Sequence, residues 1–356
     1  MPIHSKPILQ RIDWLFDLAE RHGAAFRSPD AWLARERYVA EHPTAIAVLK
    51  CMDGRINIPV ATNTPVGILM PIRNLGGKFD LGWPHLGEVL AHHVQHMVSQ
   101  GRRVLFLITY HFSRGDVHRG CAGFDYNTEA AIAHVYQIRR QLEHIFGSAH
   151  ETVYPLICGF ETDEDALILH GAGDHRLDLS TFAASDRIAL EQSLAALLPD
   201  MPVQMRADLL PLLNGNLDHV AAIREQARRN ERQLDIEHRE WMLCLGRGFD
   251  FLHTPNVALI IGPYSPNLAE PIHRAAGIIS ANMKGGRVPD DGFLLLASVP
   301  YDEIGVDRAR AELKSRFLSH FAAEVIGREF PDLADKMTMR TAVLDWRSRQ
   351  LETIET

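Results

Sequence analysis

The sequence predicts an α/β protein in which a mostly parallel β-sheet flanked by helices follows a pair of N-terminal helices and precedes a degenerate second copy of the same domain. Three observations lead there. After Pro43, short apolar runs alternate with longer amphipathic ones, the pattern of strands joined by crossover helices. The order strand, helix, strand, helix of residues 44–147 recurs in shorter form over 256–327. With 356 residues, 46% of them hydrophobic, the chain can fill more than one core.

The elements follow in order. Apolar residues at helical spacing predict a helix over 7–22, ended by Gly23, and a second over 29–41, opened by Ser28 as N-cap and Pro29 at the first helical position. Strands are expected at 44–50, 66–72, 103–110 and 152–160. Helices are expected between them at 84–99 and at 128–146, the latter capped by Asn127 or Thr128. Residues 180–248 read as helical throughout, with the polar stretch 224–233 as solvated helix surface. The second α/β segment offers strands at 256–262 and 292–299 and helices at 267–282 and 307–326. The expected parts are therefore N-terminal helices (1–43), a first α/β domain (44–179), a helical connection (180–250) and a degenerate second domain (251–356).

A net charge of −8 with interspersed signs and no basic run leaves no electrostatic footprint for nucleic acid or an anionic membrane surface. The N-terminus lacks the unbroken apolar centre of a signal peptide, and no run is apolar for long enough to span a bilayer. A cytoplasmic location is expected, where four cysteines point to metal binding, catalysis or burial before disulfides. Cys158 and Cys244, in the runs LICGF and WMLCLG, read as buried small hydrophobes, the second on a helix. His92, His93 and His96 read as ordinary positions of one helix, with no carboxylate or thiol beside them.

The chemistry concentrates in two segments, each following a strand, where open α/β sheets place ligand-binding residues. The first is Lys50-Cys51-Met52-Asp53-Gly54-Arg55. Alone, this Cys-x-Asp-x-Arg pattern also fits a capping carboxylate, a surface guanidinium and a buried thiol. The second segment, His111 to Phe124, adds the imidazoles of His111 and His118 and the thiol of Cys121, with glycines at 115, 120 and 123 that allow a tight loop. Two thiols and one imidazole, with a fourth position left for water, make a catalytic rather than a structural zinc site.

These segments, together with Arg73-Asn74-Leu75-Gly76-Gly77 after the intervening strand, resemble the β-carbonic anhydrases in that family's motif order, and most closely the carboxysome shell branch. The resemblance implies Zn2+ held by Cys51, Cys121 and one histidine. His118 has the compact His-x-x-Cys spacing; His111 has the strand-end position and wider spacing of the carboxysomal branch, and a strand end holds a ligand more rigidly than a loop. The resemblance further implies reversible hydration of carbon dioxide to bicarbonate, with Asp53 and Arg55 orienting a zinc-activated hydroxide and the backbone of Ala122 and Gly123 contacting bicarbonate. It leaves a homo-oligomer open as partner and gives the carboxysome as an alternative location. Carbonyl sulfide or carbon disulfide hydrolysis at the same site is the nearest other reading, and a non-catalytic zinc scaffold a further one. In the second copy, Gly262 and Pro263 are expected at the place of Cys51 to Asp53, and Pro300 to Glu303 at the place of His111 to Cys121. Only the first copy should then bind metal.

Overall fold

The structure is a computed structural model and describes residues 3–228, 237–248 and 256–354. Packing divides the chain into two units, one comprising Ala34–Cys51 with Arg55–Glu237 and the other Met1–Leu33, Met52–Gly54 and His238–Thr356. Each unit holds one mixed, mostly parallel sheet with helices on it, so the expected α/β class with two sheet domains is borne out.

The first unit carries β1 (Ala45–Cys51), β2 (Leu69–Asn74), β3 (Val104–Phe112), β4 (Val153–Glu161), β5 (Ala166–His170) and β6 (Arg176–Asp178). Their order is β2-β1-β3-β4-β5-β6, parallel from β2 to β4 and antiparallel thereafter. Every residue of β1 and β4 is buried, as expected of inner strands of a sheet covered on both faces. Helices Pro84–Ser99 and Thr128–Phe146 make the crossovers, with the boundaries the sequence predicts. Asn127 Oδ1 accepts the Ala130 N–H at 3.0 Å and caps the second of them.

The second unit carries β7 (Met242–Leu245), β8 (Ala258–Ile261), β9 (Phe293–Tyr301), β10 (Met337–Asp345) and β11 (Leu351–Ile354) in the order β8-β7-β9-β10-β11. That order reproduces β2-β1-β3-β4-β5, with four parallel strands followed by one antiparallel strand. The registers repeat as well. Ile46 stands between Leu69 and Leu105, and Met242 between Ala258 and Leu294. Val104 faces Val153 as Phe293 faces Met337. A duplicated domain accounts for both the topology and the register.

The repeat differs from the sequence reading in its starting point. Residues 242–245 form a strand, so the chain is not helical through 248, and Cys244 lies in a buried strand rather than on a helix. A four-residue apolar run carries no period that separates strand from helix. Part of the expected helical surface, residues 229–236, and the expected start of the second domain, 251–255, lie outside the described residues. With β7 as the counterpart of β1, strand 258–261 answers to β2, so Gly262 and Pro263 answer to Arg73 and Asn74 instead of Cys51 to Asp53. Counting along the registers puts Arg247 in the place of Cys51 and Pro300 in the place of His111. The hairpin β5–β6 and strands β10 and β11 complete the sheets without having been anticipated. The first helix runs Ile8–Arg27, straight through Gly23, where a Cβ would come within 3.0 Å of the Arg349 carbonyl oxygen; close approach, not helix termination, explains that glycine.

Candidate metal centre

Cys51 is the last residue of β1, His111 the penultimate residue of the neighbouring β3, and Cys121 ends the loop that follows β3. Parallel pairing of β1 with β3 brings both strand ends to one edge of the sheet, and the thiols of Cys51 and Cys121 and a ring nitrogen of His111 all lie within 4.8 Å of one another. All three residues are buried. Neither ring nitrogen of His111 has a hydrogen-bond partner, and an imidazole closed off from water in this way leaves its polar atoms uncompensated. The Cys51 thiol is pushed well above the ordinary thiol range by its hydrogen bond with Cys121 and by burial, with His111 acting in the opposite direction. Burial makes a thiolate costly unless a cation stands beside it, and two thiols with one imidazole this close form a group that could hold a thiophilic metal ion.

His118 stands elsewhere. It is exposed on the same loop, its ring edge-on to Tyr126 at 5.0 Å between centroids, and its backbone N–H donates to Asp116 Oδ1 at 2.9 Å. Cys158 and Cys244 are buried free thiols in β4 and β7, and burial raises Cys158 to about 12. His92 and His96 are exposed on their helix, and none of the three histidines there belongs to a metal-capable group among the described residues.

The glycine-containing motif at the end of β2 explains how Cys51 and the loop are held. Buried Arg73 donates to the carbonyl oxygens of Cys51 at 3.0 Å and Ile56 at 3.2 Å, fixing the chain as it leaves β1. Gly76 and Gly77 take φ values of +66° and +65°, a left-handed conformation that glycine adopts without a steric penalty. The turn they make lies directly against Gly123, where a Cβ would fall 2.5 Å from Gly76 Cα. Ala122 and Gly123 form the first two residues of a short 3-10 turn immediately after Cys121.

Asp53 and Arg55 are both buried. Arg55 donates to the Arg119 carbonyl oxygen at 3.0 Å, tying the β1 end to the loop that carries Cys121. Asp53 pairs by its backbone with Leu259, and the Ile260 N–H donates to the Met52 carbonyl at 2.8 Å; a Cβ on Gly54 would strike the Ala258 carbonyl at 2.3 Å, so this close passage requires glycine. The carboxylate of Asp53 is grouped with His238 and Glu240, their ligand-type atoms within 4.8 Å of one another. Glu240 Oε1 lies 2.9 Å from His238 Nδ1, and Asn282 donates to Glu240 Oε2 at 3.1 Å. Sequence reading missed this set. Its only trace is the His-x-Glu at 238–240 directly before an apolar run, inside a stretch whose many charges suggest solvated surface.

Fold and site together define a class: an α/β domain with a buried Cys2His donor set, two donors at the C-terminal ends of adjacent parallel strands and the third on the loop that follows. Residues 44–197 match the family model described as Carboxysome Shell Carbonic Anhydrase, catalytic domain. No curated protein matches the chain. Among the described residues no helix is long and apolar enough to cross a membrane.

Proposed function

We propose that the protein is a zinc-dependent carbonic anhydrase that interconverts carbon dioxide and bicarbonate, with Cys51, His111 and Cys121 as the zinc ligands. The observation that carries this is the buried Cys2His set, with both His111 nitrogens unpartnered, lying inside the family-matched segment. Zinc bound there would act as a Lewis acid and bring the pKa of a water molecule close to neutral.

The chain's own residues then have distinct tasks. Asp53, two residues beyond Cys51, accepts the hydrogen of the attacking oxygen and keeps a lone pair aimed at carbon. Arg55, two residues further on, is the cationic partner that the family resemblance implies for that carboxylate, and a carboxylate beside a guanidinium stays ionised at neutral pH. The backbone N–H groups of Ala122 and Gly123, at the turn following Cys121, are the donors for a bicarbonate oxygen. Exposed His118 is available on the same loop to carry protons to buffer. Burial of all three proposed ligands keeps bulk water off the donor set.

Zinc analysis of purified protein combined with stopped-flow carbon dioxide hydration tests the reading. About one equivalent of zinc and hydration that disappears with the metal support it; a metal-loaded protein without hydration activity refutes it. The same preparation offered carbonyl sulfide and carbon disulfide separates the hydratase from a hydrolase using the same site. We place the enzyme in the cytoplasm, with the carboxysome as the alternative, acting on small-molecule substrates without nucleic-acid or membrane partners.

A further inference from the structure

The loop 113–120 between β3 and Cys121 has little ladder of its own, yet it has to deliver Cys121 to within bonding distance of a shared ion. What holds it is the turn between β4 and β5. Asp163 there accepts the Ser113 hydroxyl on both carboxylate oxygens at 2.9 Å, the Gly115 N–H at 2.7 Å and the Arg119 guanidinium at 3.3 Å. Glu161, almost wholly buried at the end of β4, accepts the Arg114 N–H at 3.1 Å and, on its two oxygens, the N–H groups of Asp163 and Glu164 at 3.1 and 2.9 Å. The fit is close on the loop side, where a Cβ on Gly115 would lie 3.1 Å from Asp163 Oδ2. Arg119, gripped by Asp163, presents the carbonyl oxygen to which Arg55 donates. The strap therefore reaches both the chain leading to Cys121 and the Arg55 side chain.

We infer that Asp163 is a positioning residue for the metal centre: by bonding Ser113, Gly115 and Arg119 it sets the path of the Cys121 loop and the placement of Arg55, without itself touching metal or substrate. The physical reason is that one fixed carboxylate satisfies a hydroxyl, a backbone N–H and a guanidinium that would otherwise each find water in a different loop conformation. Burial raises Asp163, but the bonds from Gly115, Ser113, Glu161 and Arg119 outweigh it and hold the group below the usual aspartate range, so the strap is charged at neutral pH. Glu161, raised by burial, supports the turn from beneath.

The inference rests on Cys121 being a metal ligand, and the test separates the two. Full-length protein freed of metal is titrated with cobalt(II), whose visible bands report thiolate ligation and tetrahedral geometry independently of any turnover. Wild type should develop an intense thiolate-type spectrum. Asp163→Ala should need about tenfold to a hundredfold more cobalt and show weakened, shifted bands, the scale of a lost outer-shell partner. Ser113→Ala removes the same bond from the loop side with little risk to folding, and should move affinity in the same direction by about threefold or more. Either soluble variant with wild-type affinity and spectrum overturns the strap. A wild type that never develops the thiolate spectrum overturns the ligand assignment, and the positioning role with it.

Discussion

Gly123 offers the sharpest perturbation of the proposed centre, because it lies two residues from Cys121 and its neighbour cannot yield. In Gly123→Ala the added Cβ would sit 2.5 Å from Gly76 Cα and 2.6 Å from Gly76 N, backbone atoms of a turn fixed by two left-handed glycines. Carbon atoms rest at roughly 3.5 Å or more. The two backbones must therefore part by about 1 Å, against a tolerance of roughly 0.2 Å in a metal-to-ligand distance. Overpacking of this kind costs about 1–3 kcal/mol. If that strain is relieved by moving the Cys121 turn, it appears as a loss of metal affinity of about fivefold to a hundredfold, since 1.4 kcal/mol corresponds to a factor of about ten. The assay is competition for zinc between the purified variant and a chromophoric chelator, with a thermal melt of the apo-protein alongside. Zinc retention equal to wild type with an unchanged melt would refute the reasoning, for it would show that the Gly76–Gly123 contact does not position the ligand.

Four further outcomes are expected. Cys51→Ala, His111→Ala and Cys121→Ala each lose stoichiometric zinc while His118→Ala keeps it; metal loss confined to His118→Ala among the histidines would reverse the assignment. Asp53→Ala and Arg55→Ala retain zinc but drop in hydration turnover by on the order of a hundredfold, and near wild-type turnover in Asp53→Ala removes its proposed role. Elemental analysis should find a single zinc per chain, because the repeat carries Arg247 and Pro300 where the first copy has Cys51 and His111, and a second equivalent that survives replacement of His238 and Glu240 would contradict that correspondence. His170, fully buried between the Tyr110 hydroxyl at 2.9 Å and the Tyr136 hydroxyl at 3.2 Å, is lowered from 6.5 to about 4 by burial and by Arg176. The unfolded chain then takes up a proton below pH 6.5 that the folded chain does not, so stability is full above that value and falls as pH drops toward 4. Melts of His170→Asn between pH 7.5 and 4.5 should show a shallower acid decline than wild type, and an equal decline would exclude His170 as its source.

Residues 44–161 were largely legible without coordinates, because inner parallel strands are continuous apolar runs and their crossover helices carry clear caps. Pro84–Ser99 and Thr128–Phe146 fall where the periodicity puts them. The candidate site was legible by position for a related reason: a parallel sheet collects its functional residues at strand ends, and Cys51 and His111 stand at such ends. The repeat was visible as an alternation but misaligned by one strand, since Met242–Leu245 is too short for its period to speak and the register that identifies it exists only between strands. The grouping of Asp53 with His238 and Glu240, the stapling of the Cys51 carbonyl by Arg73 and the grip of Asp163 on the Cys121 loop were decided by tertiary structure alone. Each brings together residues with no sequence pattern between them, at places set by where the chain returns. Local sequence thus determined the strands, helices and donor types, while the long-range contacts that aim those donors came only with the fold.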